Sequence, residues 1–145
     1  MEKGTIHQIQ KRVVKLLRKN INKPLYIISK DNCSELSRLV GCWIFKKLPN
    51  AKIYILKGDN VQNTKQSHDI LAVEQDENIY LIDPSVWQFF KNKKSIFLKL
   101  TKTLESSLSE VTKIYGGKWA VSEAFKSENY NEKELKEIVV LNIKK

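Results

Sequence analysis

A thiol at Cys33, an imidazole at His68 and a carboxylate at Asp83 are the residues whose chemistry and order stand out in this chain. A histidine held by a carboxylate can manage the proton of a nearby thiol, which is the equipment for nucleophilic attack on a carbonyl. Such chemistry needs the three groups within contact of one another, so the question is which elements would bring them together.

His68 and Asp83 bracket a hairpin. Ser67 to Pro84 reads as two short strands around the polar turn Gln75-Asp76-Glu77-Asn78, with apolar residues alternating on either side. A symmetric register sets Glu74 opposite Glu77, Ala72 opposite Ile79, Ile70 opposite Leu81 and His68 opposite Asp83. Directly opposed Cβ atoms lie about 4.5 to 5.5 Å apart, within reach of an imidazole–carboxylate hydrogen bond. A one-residue slip would throw the pair onto opposite faces. Asp69 projects from the other face and is not the expected partner.

Cys33 belongs to a helix start. Leu36, Leu39, Val40, Trp43 and Ile44 recur at helical spacing, and Asn32 followed by Glu35 resembles a capping box that makes Cys33 the first helical residue. There the helix dipole and free amides favour an anion at sulfur. Cys42 falls mid-helix, nine positions on and on nearly the opposite face, so the two thiols cannot bridge. Free thiols point to a reducing compartment and a cytoplasmic site of action. Two histidines and two cysteines without metal-ligand spacing give no expectation of a metal.

The chain has 145 residues, 41% of them hydrophobic and 29% charged, as expected of one domain spanning 1–145. No apolar stretch is long enough to span a membrane. The net charge of +10 comes mostly from lysine. It attracts acidic surfaces or phosphates in general, and without an aromatic RNA-binding signature nucleic acid is not the expected partner.

Thr5 to Asn20 reads as an amphipathic helix with Ile6, Ile9, Val13, Leu16 and Leu17 on one face, and His7 off that face at the surface. Asn22-Lys23-Pro24 ends it and leads into the apolar run Leu25 to Ile28. Lys52 to Lys57 is a strand and Val61 to Gln66 a loop. Val86 to Phe90 is aromatic and tucks under the sheet. Ile96, Phe97, Leu100, Leu104, Leu108, Val111 and Ile114 suggest one helix ending at Gly116-Gly117. Trp119 to Val121 is a short strand or turn, Glu132 to Lys136 starts a short helix, and Ile138 to Ile143 reads as a final strand.

The segments Asn32-Cys33-Ser34-Glu35-Leu36, Ser67-His68-Asp69-Ile70-Leu71 and Tyr80-Leu81-Ile82-Asp83-Pro84-Ser85 together resemble the transglutaminase and papain-like cysteine enzyme superfamily. Within it they are most similar to small bacterial toxin and effector domains that deamidate glutamine. The likeness covers a core of about residues 25–90. It implies an α+β fold with a cysteine-bearing helix on an antiparallel sheet and the helices gathered on one side. It implies Cys33, His68 and Asp83 as catalytic residues and no cofactor. No glutamine precedes Cys33 where papain-type proteases keep an oxyanion donor, and no tryptophan follows His68 as in many transglutaminases. Gln88 is the candidate amide donor instead, with Asn32 and Trp87 as further oxyanion or substrate-binding candidates.

The implied activity is thiol-dependent acyl transfer on protein side-chain amides, by deamidation or transglutamination. Its partners would be a protein substrate, acidic as a complement to the +10 charge, and an immunity or inhibitor protein. A papain-like peptidase is the second expectation. A non-catalytic basic module for nucleic acid or an acidic protein is the third, and salt dependence without thiol dependence would distinguish it.

Overall fold

The computed structural model describes residues 1–19 and 21–144. Among these the chain forms five α-helices and a five-stranded, wholly antiparallel sheet, an α+β arrangement. Helix α1 (Lys3–Leu17), the helical turn α2 (Leu25–Ile28) and α3 (Cys33–Lys47) come first. Strands β1 (Lys52–Asp59), β2 (His68–Gln75), β3 (Asn78–Ile82) and β4 (Phe97–Thr101) follow. Helix α4 (Leu104–Tyr115), strand β5 (Lys118–Ala124) and helix α5 (Glu132–Lys144) complete the chain. The strand order is β4-β3-β2-β1-β5. The expected end of the first helix at Asn20 lies outside the described residues.

The sheet is covered on both faces, which corrects the expectation of helices on one side. Because side chains of a strand alternate, Ile53, Ile55, Leu71 and Val73 face a large core shared with α1, α3 and α5. Leu56, Ile70, Ala72, Ile79 and Leu81 face a smaller core with Val111 and Tyr115 of α4. His68 has the parity of the second set. Cys33 comes near it because the first turns of α3 are tied to the start of β2, whose first residue is His68.

Two further segments differ from expectation. The helix expected from Ile96 onward is strand β4 followed by α4, whose start is fixed by Thr103. Its side chain accepts the Ser106 N–H at 3.0 Å and its own N–H donates to Ser106 Oγ at 3.1 Å. The expected final strand over Ile138 to Ile143 is part of α5, whose Leu135 and Val139 are buried at helical spacing.

The hairpin register is also corrected. Gln75 pairs with Asn78, Ala72 with Leu81 and Leu71 with Ile82, so the connection is the two-residue turn Asp76-Glu77. Both turn residues have positive φ, 52° and 65°, as a type I′ turn requires. The pairing is displaced by two residues from the symmetric one, and a displacement of two preserves every side chain's face. Continued past Leu71, it would place Asp83 opposite Ile70, diagonal to His68 on the same face.

Candidate active site

The ladder ends before Asp83, whose N–H donates to Ile96 O at 2.8 Å. Released from direct pairing, the carboxylate turns diagonally to the imidazole. Its Oδ2 lies 2.7 Å from His68 Nε2, and both residues are fully buried. Diagonal neighbours are about 7 to 8 Å apart, with their Cβ atoms somewhat closer, a gap that two side chains reaching toward each other close.

Asp83 has further donors. Tyr115 of α4 gives its hydroxyl hydrogen to the same Oδ2, while Ser85 donates its N–H (3.0 Å) and its hydroxyl (3.3 Å) to Oδ1. The Ser85 contacts form an Asx-type turn at the start of the Asp-Pro-Ser segment. A carboxylate serving this many donors is held in one orientation.

The ring sits in an aromatic pocket. Phe89 meets it edge-on at 4.6 Å between centroids, Tyr115 lies at 5.3 Å and Trp119 at 6.3 Å. Trp119 gets there because Gly58, paired to His68 on one side and to Trp119 on the other, has no side chain. A Cβ at Gly58 would lie 2.3 Å from the indole.

Burial alone would lower the proton affinity of His68. The charge and hydrogen bond of Asp83, with a further contribution from Cys33, outweigh it and push the ring's pKa up to about 10. The ring is therefore an imidazolium at neutral pH. Its second nitrogen, Nδ1, is buried without a hydrogen bond of good geometry, although the Cys33 sulfur is near enough to act on its charge.

Cys33 is the first residue of α3, as expected, and is only half-buried, whereas the His68 ring is fully buried. The capping box is not formed. Asn32 points its amide back to Ile28 O at 3.4 Å and accepts from Asn142 at 3.0 Å, so it acts as a buried link between α3 and α5. The free amides of the first helical turn therefore remain without a side-chain cap.

Two of the three candidate donors are spoken for. Trp87 donates to Lys93 O at 2.8 Å and Asn32 is engaged as described. Gln88 lies in the short turn Val86–Gln88 that α2 packs against, one residue before Phe89, and its Oε1 is buried without a partner. Asp69 faces away from His68, with its Oδ2 3.0 Å from Arg38 Nη1.

Arg38 binds the two halves of the site together. It donates to Ser34 O (3.0 Å) and Ser34 Oγ (2.9 Å), beside Cys33, and to Asp69, beside His68. Ser37 adds a hydrogen bond to Asp69 O at 3.1 Å. The first turns of α3 are thereby fixed against the first residues of β2.

Comparison with protein-family models, curated proteins and solved structures finds no match. Among the described residues no cluster of three or more His, Cys, Asp or Glu side chains could hold a metal ion. None of their helices is long and apolar enough to cross a membrane.

Tyr115, Ser85, Phe89 and Trp119 complete the site and were not singled out in the sequence. Ser85 carried a signal, since Asp-Pro-Ser is turn chemistry. Tyr115 carried none, lying 32 residues from Asp83 on an element that only the tertiary fold brings near.

Proposed function

We propose that this chain is a thiol-dependent acyl-transfer enzyme acting on side-chain amides of proteins, with a core of the transglutaminase and papain-like kind. The observation that carries the reading is the fully buried His68 ring, with one nitrogen on the Asp83 carboxylate and the other unpaired beside Cys33.

In the reaction the Cys33 sulfur forms a bond to the amide carbon and the oxyanion is met by the Cys33 N–H at the helix start, with Gln88 as the second donor. As the carbon–nitrogen bond breaks, the imidazolium of His68 gives its Nδ1 proton to the departing nitrogen, which leaves as ammonia. Water then attacks the thioester and passes a proton to the neutral ring, and the carbon–sulfur bond breaks. Thiolate and imidazolium are restored, and the amide has become a carboxylic acid. Asp83 holds the ring's orientation and stabilises its charged form throughout.

The +10 charge suits acidic protein substrates, and a bacterial toxin or effector acting in a target cell's cytoplasm is the setting that fits the family likeness. The test is ammonia release from glutamine-rich proteins, with mass spectrometry of the products. Amide-to-acid conversion by the native chain, absent in Cys33→Ser, supports the proposal. Peptide-bond cleavage by the same thiol would make the enzyme a peptidase, and no thiol-dependent product at all would overturn the reading.

A further inference from the structure

Helices α1 and α5 lie side by side on the core, and a cleft of about 320 Å³ opens along α1, reaching Trp43 of α3 and Lys136 of α5. Its lining is Arg12, Lys15, Leu16, Lys19, Trp43 and Lys136. Four of those six side chains are cations and none is a carboxylate. We propose that this cleft is a binding site for a phosphate group.

Charge alone would not single it out on a chain of net +10, and two observations do. The Arg12 guanidinium carbon stands 3.9 Å from the centre of the Trp43 ring, which fixes the group by stacking. Its N–H edge makes no hydrogen bond or ion pair among the described residues. Trp43 itself is 2% exposed, and its Nε1–H is buried with no hydrogen-bond partner. Buried donors are almost always satisfied, so an orphan asks for an acceptor that the fold does not supply.

Guanidinium, ammonium and indole N–H groups are all donors without acceptor capacity. The complementary ligand is acceptor-only and carries more than one negative charge, which a phosphate satisfies better than a carboxylate. A second cleft of about 530 Å³ adjoins, sharing Leu16, Lys19 and Lys136 and adding Lys133, the carboxylate Glu137 and the apolar Val140 and Leu141. Leu141 is 61% exposed. The carbon portion of a phosphate ester has a surface there, whether the ester is a soluble metabolite or the headgroup of an anionic lipid.

The experiment uses the whole chain in about 150 mM salt, where the Debye length of about 8 Å screens distant lysines. Inorganic pyrophosphate is titrated while the indole N–H resonances are followed, and vesicles of phosphatidylcholine with or without phosphatidic acid are tested by co-sedimentation. Saturable binding of either probe is expected. Arg12→Gln, Lys15→Gln and Lys136→Gln should each weaken it about tenfold, against less than about twofold for Lys91→Gln or Lys93→Gln elsewhere on the surface. Pyrophosphate shifting the Trp43 signal identifies a soluble phosphate, and binding to acidic vesicles alone identifies a lipid headgroup. No saturable binding of either probe, or equal weakening by the surface controls, overturns the proposal.

Discussion

Tyr115 and His68 donate to the same oxygen of Asp83, so a tyrosine of α4, packed on the sheet face that His68 shares, bears directly on the charge that holds the imidazole. Tyr115 is 1% exposed, and burial followed by the Asp83 charge raises its own pKa well above the usual tyrosine range. It stays a neutral donor at every pH of interest. In the proposed reaction it moderates Asp83.

Tyr115→Phe tests that role. Loss of the hydroxyl leaves Asp83 Oδ2 to His68 alone, strengthens the carboxylate's hold on the imidazolium and moves the basic limb of the kcat/KM profile to higher pH. The fold should weaken by about 1 kcal/mol, the usual worth of one hydrogen bond. A variant with an unmoved pH profile would show that Tyr115 only fills space.

Stability should depend on pH through His68. The folded ring's pKa is about 10, against about 6.5 for an unperturbed histidine. A raised pKa contributes stability that is fully present below about 6.5 and is lost as pH rises through about 10. Urea midpoints of the native chain should fall across that window and those of His68→Gln should be flatter. Parallel curves would place the pH dependence elsewhere.

The two thiols should differ in reactivity. Cys33 is half-exposed beside an imidazolium, whereas Cys42 is buried and its pKa is pushed up to about 11 by that burial. Iodoacetamide at neutral pH should label Cys33 first, and initial labelling of Cys42 would count against an activated nucleophile.

Gly58→Ala should disturb the site without touching any of its polar groups. The added methyl meets the Trp119 indole, which must leave its position over His68. We expect a loss of about 1 to 3 kcal/mol, the range for overpacking, together with a changed Trp119 fluorescence. Unaltered stability and emission would mean that the strand pair yields at no cost.

Much of this site was legible because strand alternation survives errors of register. The polar turn Gln75 to Asn78 invited a symmetric pairing, yet Asp76 and Glu77 adopt the left-handed backbone without a glycine to announce it. The pairing moved by two and the faces stayed, so His68 and Asp83 still met. Cys33 at the start of α3 was readable from apolar spacing alone, while its cap was not, because Asn32 is drawn into a tertiary contact with Asn142.

Two elements were misread. Ile96, Phe97, Leu100 and Leu104 follow one another at helical spacing, so a strand and a helix run together in one helical pattern. Thr103 and Ser106 marked the true boundary. In α5 the β-branched run Ile138-Val139-Val140 imitates a strand, and tertiary packing of Leu135 and Val139 decides for helix.

The choice of carboxylate is open to a paired comparison. Asp83→Asn should leave the chain folded and cut turnover by about four orders of magnitude, since an amide selects the wrong ring tautomer. Asp69→Asn should cost stability by breaking the Arg38 pair, about 1 to 3 kcal/mol at its partial exposure, and leave most turnover. Equal losses of turnover would dismiss Asp83 as the partner of His68.

Trapping the covalent intermediate reaches the central claim most directly. The native chain is incubated with an activated acyl ester, quenched in acid, and mapped by peptide mass spectrometry. The account predicts one acyl group, on Cys33, forming rapidly in the native chain, slowly in Asp83→Asn and not at all in Cys33→Ser. Acylation of Cys42 or of lysines only, or a rate on Cys33 that is indifferent to Asp83, would contradict it.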